Sequence, residues 1–522
     1  MSDAAPEAET AEATDDTESS SIFRNTAAQS APVLTTFVFS FVLAPIMLSR
    51  LGLAQFGVWA VTGALAQYVR LLDFGVTGSL ARFVALYDAE GNRHAIEETV
   101  GVGLLAAAGV SVLTFTAAVF GAPLVSDILG VLGTGEMRIV LISAAGVSTS
   151  YLISAVMSAV PIGLRRMAPP AAAETVGNVV NFLFSLLALI FSTKLAVYAL
   201  ANLAAAVVIV LLTLAALLYV WSGRPARRPS LGHTRGILSF GIRSQMVNLA
   251  QLVNVQTDKI IIAGMLGPRT AGAYEIGNRV VQGALSLGLM TLAAMIPTAT
   301  ADLVRRGSEV IAEYFSRYTV RSLSIAWPLL GTLCVGAPYL LYAWLGESPP
   351  DTTSIIALLS LAFAVSLSTG VAMTLVVSDG HPGVVAQTAA IVVTLNLAAT
   401  LIAAPVFGLW GVLIATVAAD VVASAIFLVR FHRRYGLPAR VFFEAVGPPA
   451  AVTLLSAVPF ALWYLLVGVG EPDRLAALLG TVATGGLYAV ICWFAGSHFE
   501  LLPEKLRADT IRRHILARHA AG

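Results

Sequence analysis

The sequence predicts an all-α polytopic membrane protein of about 14 transmembrane helices, two parallel-repeat six-helix bundles followed by two C-terminal helices. Three observations carry that prediction. Hydrophobic residues make up 57% of the chain and charged residues 12%, with a mean hydropathy of +0.83, a balance that a soluble domain of this length does not keep in solution. Apolar runs long enough to cross a hydrocarbon core about 30 Å thick follow one another along the chain. The chain also repeats itself: Leu51, Gly52, Gly57 and Trp59 are matched by Leu266, Gly267, Gly272 and Tyr274, each pair 215 positions apart. Gln67 pairs with Gln282, Gly121-Ala122-Pro123 with Gly336-Ala337-Pro338 and Asn181 with Asn396 at the same offset of 215. An even number of crossings per copy makes both copies enter from one side, as in secondary transporters that rock about a central site.

Residues 1–23 form an acidic tail without Lys or Arg before Arg24, predicted to be disordered and too poor in basic residues for a signal peptide. The N-terminal bundle occupies 24–222, with spans near 29–48, 55–73, 99–121, 138–162, 172–192 and 196–221. A basic linker at 223–235 separates it from the C-terminal bundle at 236–431, with spans near 237–265, 270–299, 319–345, 354–378, 384–407 and 409–430. Two further spans, near 445–468 and 475–496, fill 432–497. A basic tail follows at 498–522, and its Lys505–Arg518 stretch reads either as an amphipathic helix along an anionic membrane surface or as a solvated helix.

Lys and Arg set the orientation. With the amino terminus inside, the cytoplasmic loops hold Arg82, Arg93, Arg165, Arg166, the 224–235 cluster, Arg305, Arg306, Arg317, Arg321 and the 430–440 cluster, whereas the outer loops hold few. The positive-inside rule then places both termini in the cytoplasm and the protein in the cell membrane.

The stretch from Arg243 to Ser286 stands out, because it is greasy enough to span twice yet carries groups that lipid does not tolerate. Glu275, Asn278, Arg279, Gln282 and Ser286 recur on one helical face, and Arg243, Asn248, Gln251, Asn254, Asp258 and Lys259 share a side of the preceding span. If the turn is at Gly267, a rise of about 1.5 Å per residue puts Asp258 and Arg279 roughly 13 Å from the surface. An ionised side chain at that depth costs about 2.5–3.5 kcal/mol. Two readings stay open: a buried network pairing Asp258 with Arg279 and Lys259 with Glu275, or the lining of a wet cavity. On the second reading Lys259, Arg279, Gln251, Asn254, Gln282 and Asn181 line the substrate cavity, and Asp258, Glu275 and Asp420 serve ion coupling or charge pairing. Arg24, Arg70 and Arg243 sit where they could meet an anionic head group at the cytoplasmic mouth, or act as snorkelling anchors.

The two copies are unequal, since Glu275, Asn278, Arg279 and Ser286 correspond to Ala60, Gly63, Ala64 and Leu71. The first copy carries a milder stripe of Glu174, Asn178, Asn181 and Ser185, and asparagines such as Asn181 and Asn396 also serve helix packing in membranes. Trp59, Tyr274, Trp344 and Trp410 fall near span ends, where an interfacial aromatic belt is expected.

Several functions are disfavoured. A net charge of +1 gives no argument for nucleic acid. Cys334 and Cys492 lie far apart in apolar runs, without support for a disulfide or metal site. There is no G-x-x-x-x-G-K loop, no H-E-x-x-H and no Cys-His cluster, so no catalytic residue, metal or cofactor is expected.

Leu51-Gly52 to Trp59, Leu72-Asp73-Phe74-Gly75 with Arg82, Asp258-Lys259, and Leu266-Gly267 with Gly272-Ala273-Tyr274 resemble the oligosaccharide flippases of polysaccharide biosynthesis, within the multidrug, oligosaccharidyl-lipid and polysaccharide exporter superfamily. The resemblance runs from about Arg24 to His498. It implies alternating-access movement of a polyprenyl-pyrophosphate-linked oligosaccharide to the outer leaflet, with H⁺ or Na⁺ as coupling ion and with membrane lipids and other polysaccharide-assembly proteins as partners. Lys259 and Arg279 would then attract the pyrophosphate. An ion-coupled exporter of multidrug cations and a peptidoglycan lipid-precursor flippase remain as alternatives, with a membrane glycosyltransferase or polymerase behind them.

Overall fold

Glycine decides where this chain reverses. In the computed structural model, which describes residues 5–73, 75–226, 229–293, 296–468 and 470–501, helix α1 (Ala5–Val69) breaks at Gly52, whose φ is 78°. Side chains are described from residue 31 on, with gaps that take in Arg70, Arg243, Gln251 and Asn254. A short 3-10 turn (Arg70–Asp73) leads to α2 (Val76–Ala89), α3 (Arg93–Leu129), α4 (Thr134–Gly163), α5 (Ala168–Phe191) and α6 (Leu195–Val220). The second half comprises α7 (Leu231–Leu266), α8 (Pro268–Ala293), α9 (Ile296–Arg306), α10 (Val310–Leu345), α11 (Thr352–Ser368), α12 (Gly370–Ser378), α13 (Pro382–Tyr435), α14 (Ala439–Leu466) and α15 (Arg474–His498).

Gly267, the repeat partner of Gly52, turns α7 into α8 with φ 94°. Only glycine adopts such angles without strain, so the duplicated Leu-Gly motif is turn chemistry preserved in both copies. A third break lies at Gly408 inside α13, with φ 58°. There Asn396 Oδ1 and Thr416 Oγ1 come within 3.3 Å, although 20 residues of straight helix would hold them about 30 Å apart. The chain folds back at Gly408, and Gly411 lies so close to Ala403 that an added Cβ would overlap its carbonyl.

Among the described residues, 10 helices are long and apolar enough to cross a membrane. Two of them, α1 and α13, hold two crossings each, and α7 and α8 are of membrane length but more polar. Together these give the fourteen crossings that the sequence predicts, and the chain is a multi-pass membrane protein.

By internal contacts the chain divides into two compact units, 1–55 with 62–249 and 56–61 with 250–522. In the first, α4 packs against α2, α3 and α6, and α5 against α6. One of its core clusters joins Val76, Leu80 and Val84 of α2 to Ile96 and Val100 of α3 and to Val156 and Val160 of α4. In the second, α10 is the hub and contacts α8, α11, α14 and α15, while α13 packs on α11.

The structure differs from the sequence reading in two places. The backbone is helical from Ala5, where composition predicts disorder through residue 23; the Ala and Glu of that stretch are strong helix formers, and its acids suit a helix start. The division between units falls inside α7, after Leu249, and not at 223–235. The reason is local, because that basic stretch is bound back onto α3. Arg224 N donates to Glu97 Oε1 at 3.1 Å and Ala226 N to Glu97 O at 2.9 Å. Ser230 N donates to Glu98 Oε1 at 2.9 Å, and His233 Nε2 lies 2.9 Å from Thr99 Oγ1. The tail stretch Lys505–Arg518 lies outside the described residues.

Candidate functional site

The α7–Gly267–α8 hairpin faces residues against one another at similar distances from its turn. Asp258 and Lys259 precede Gly267 by two helical turns and more, and Tyr274 and Glu275 follow it by about two. Side chains at matching depth meet, and here the meeting produces two adjoining clusters of different character.

The first is centred on Asp258, only 2% exposed. Tyr274 donates its hydroxyl to Oδ2 at 3.4 Å, and Asn396 Nδ2 donates to Oδ1 at 3.4 Å. Thr416 Oγ1 lies 3.2 Å from Oδ2, and its single proton is shared among Asp258, Asn396 Oδ1 and the Val412 carbonyl. The fold-back at Gly408 is what brings Asn396 and Thr416 to the same carboxylate. Every partner is a neutral donor, and among the described residues no Lys, Arg or His nitrogen lies within ion-pair distance of Asp258.

The second cluster is ionic. Lys259 Nζ lies 2.6 Å from Glu275 Oε2, and Arg279 Nη2 lies 3.1 Å from Glu275 Oε1. One carboxylate therefore faces two cations, one from across the hairpin and one a turn along its own helix. The Lys259 side chain is 8% exposed and that of Arg279 22%. Arg279 also stands 5.7 Å from the centroid of the Phe56 ring, inside cation–π range. Phe56 belongs to the 56–61 segment of α1, whose Gly57 sits so tightly on the backbone of Pro268 and Gly272 that a Cβ would overlap the Pro268 carbonyl.

Asp420 lies one helical turn beyond Thr416 on the same face of α13, buried, with Ser366 Oγ donating to Oδ1 at 3.2 Å. Among the described residues it too lacks a cationic partner. Asp258 and Asp420 thus stand along the Thr416 face, Asp258 held by hydroxyl and amide donors and Asp420 by the Ser366 hydroxyl.

The pairing differs from the sequence expectation in one respect. Lys259 does meet Glu275, but Arg279 joins the same carboxylate and does not pair with Asp258. Tyr274 is 3% exposed and bonded to Asp258; it is no part of an interfacial belt, whereas Trp410 is half exposed. Gln282 lies half-buried two turns beyond Glu275 on the Arg279 face, its carbonyl accepting from Ser286 at 2.8 Å. Asn181 sits half-buried on α5 of the first unit. Its neighbour Asn178 holds helices together, donating to Pro32 O at 3.1 Å and to Thr36 Oγ1 at 2.9 Å. Gln251, Asn254 and Arg243 on α7, Arg70 after α1 and Arg24 within it lie outside the residues whose side chains are described. Sequence reasoning placed Tyr274, Asn396 and Thr416 outside its candidate site. Tyr274 and Thr416 had a signal in their similar distances beyond the turn glycines Gly267 and Gly408.

The profile of the family described as "Polysaccharide biosynthesis protein" matches residues 22–301. No curated protein sequence matches. Among solved structures, a lipid II flippase MurJ in an inward closed conformation superposes with a TM-score of 0.65 at 12% identity, covering 89% of this chain and 98% of the other. An inward-facing multidrug resistance MATE family transporter of the MOP superfamily gives 0.60 at 16% identity, covering 78% and 94%. An outward-facing MATE family transporter gives 0.52 at 15% identity, covering 80% and 95%. At these identities the likeness is one of fold.

Proposed function

The chain belongs to the polysaccharide biosynthesis protein family, and from that premise we propose that it is a flippase that moves a polyprenyl-pyrophosphate-linked oligosaccharide across the cytoplasmic membrane by alternating access, as a carrier and not an enzyme. The observation that carries this reading is the Lys259–Glu275–Arg279 cluster, in which a single carboxylate orients two cations at bilayer depth. A pyrophosphate and its sugars cannot cross hydrocarbon unaided, so their carrier needs fixed positive charge within the membrane. Arg279 is the better exposed of the two cations. Its planar fork suits a phosphoryl group, with Glu275 and Phe56 fixing its direction, while Lys259 stays buried as the second charge.

Asp258 and Asp420 supply the coupling. Each is held by neutral donors, so either can take up and release H⁺ or Na⁺ without breaking an ion pair. The fold shared with multidrug MATE family transporters supports that assignment. The MurJ likeness supports a second reading within the same chemistry, a lipid-linked peptidoglycan precursor as cargo.

The test is export in cells lacking the native gene. Arg279→Ala should leave the protein in the membrane yet cause lipid-linked oligosaccharide to accumulate at the inner leaflet, with Arg279→Lys intermediate. Full export by Arg279→Ala would retire the reading. Accumulation of peptidoglycan precursor in place of oligosaccharide would select the second one.

A further inference from the structure

The short turn between α13 and α14 encloses a cavity of about 600 Å³ whose walls do not match its rim. Leu428 and Val429 of α13 and Phe442 and Phe443 of α14 make it apolar, and Phe443 and Val429 also present outward-facing surface. Arg433 and His432 stand at the same cavity. Charge asymmetry places this turn at the cytoplasmic face.

Three features of the rim converge on an anion that also carries hydrogen-bonding hydroxyls. Arg433 is exposed, and among the described residues no carboxylate lies within ion-pair distance of it; Glu444, the acid closest in sequence, is taken by Arg440 at 2.5 Å. The 28-residue α14 starts behind Pro438, which gives no side-chain cap, and its first residue, Ala439, lines the cavity. The first N–H groups of a helix without a cap are a ready anion site. His432 is 9% exposed, and its Nδ1 lies 3.1 Å from the Leu437 carbonyl. That oxygen only accepts, so Nδ1 carries a proton, while Nε2 is buried and, among the described residues, without a hydrogen-bond partner.

We propose that this cavity is a binding site for an anionic phospholipid of the inner leaflet whose head group bears hydroxyls, phosphatidylglycerol in kind. The phosphate meets Arg433 and the start of α14, a head-group hydroxyl pairs with His432 Nε2, and an acyl chain lies along Val429, Phe442 and Phe443. The site lies in the α13–α14 turn, away from the α7–α8 hairpin in sequence, and does not depend on the proposed cargo.

The experiment is native mass spectrometry of the full-length protein incubated with phosphatidylglycerol or phosphatidylcholine, alongside Arg433→Gln and Ala425→Phe, the latter placing a ring in the cavity that Ala425 of α13 lines. Loss of a charge-assisted bond corresponds to about tenfold weaker retention. The native protein should retain phosphatidylglycerol in preference to phosphatidylcholine, and both variants should lose that preference while eluting as the native protein does. Equal retention of the two lipids, or an unchanged preference in both variants, overturns the proposal. Displacement of the lipid by inorganic phosphate, with Ala425→Phe still competent, also overturns it, because the apolar walls would then have no part.

Discussion

Lys259 and Glu275 meet at 2.6 Å across the Gly267 turn, and Arg279 reaches the other oxygen of the same carboxylate at 3.1 Å. Glu275 is therefore the hinge of the ionic cluster, and its removal leaves two buried cations facing one another. Breaking a buried pair costs about 3–5 kcal/mol. Glu275→Ala should lower the thermal unfolding midpoint in detergent much more than Lys259→Met does. Combining Glu275→Ala with Lys259→Met should recover part of the loss, and strict additivity would show that the two side chains do not communicate.

Asp258→Asn keeps the size of the side chain and most of its hydrogen-bonding capacity, since Tyr274 and Thr416 can donate to the amide oxygen. The variant should fold with a near-native unfolding midpoint, yet reconstituted protein should no longer respond to an imposed proton or sodium gradient. Asp420→Asn should act in the same direction, and a gradient response retained in both variants would exclude these carboxylates from coupling.

Gly57→Val tests the contact between α1 and the start of α8. An added Cβ would overlap the Pro268 carbonyl, which is backbone and cannot swing aside. Overpacking of this kind costs about 1–3 kcal/mol. Gly63→Ala on the same helix meets nothing within 4 Å and should be neutral or slightly stabilising in the same unfolding assay.

A pH effect is expected at the stitched linker. His233 lies before the membrane-spanning part of α7, and its pKa is lowered mainly by burial, with His94 acting the same way and Glu98 opposing. A folded-state pKa below the unfolded value means that the unfolded form takes the proton more readily. Stability from this contact is thus complete above the ordinary histidine pKa and is lost as pH falls through the folded-state value. Hydrogen exchange at the Ala226 and Ser230 amides, corrected for intrinsic rate, should quicken between about pH 7 and pH 5. In His233→Gln the same amides should show a flat profile.

Much of the fold could be read from the residues alone, for physical reasons that differ by element. Apolar run length located the crossings, and Gly408 fell at the sequence-predicted gap between 384–407 and 409–430. The offset of 215 found the turn glycines because φ angles of 78° and 94° restrict both positions to the same residue type. The site was legible in its charges and not in its neutral members. Asn396 reaches Asp258 from 138 residues away, through a fold-back that periodicity cannot register, and Tyr274 looked interfacial because its ring lies near a span end. The pairing of Arg279 with Glu275 follows from their i, i+4 spacing; depth arguments had matched Arg279 to Asp258, at a similar distance from the surface but on another helix.

The bend at Gly408 bears on how the protein is made. A single residue separates the two crossings of α13, so there is no hydrophilic loop for a translocation channel to pass between them. Two crossings joined so tightly are expected to enter the lipid together as one hairpin, which would bring Asn396 and Thr416 side by side early in assembly.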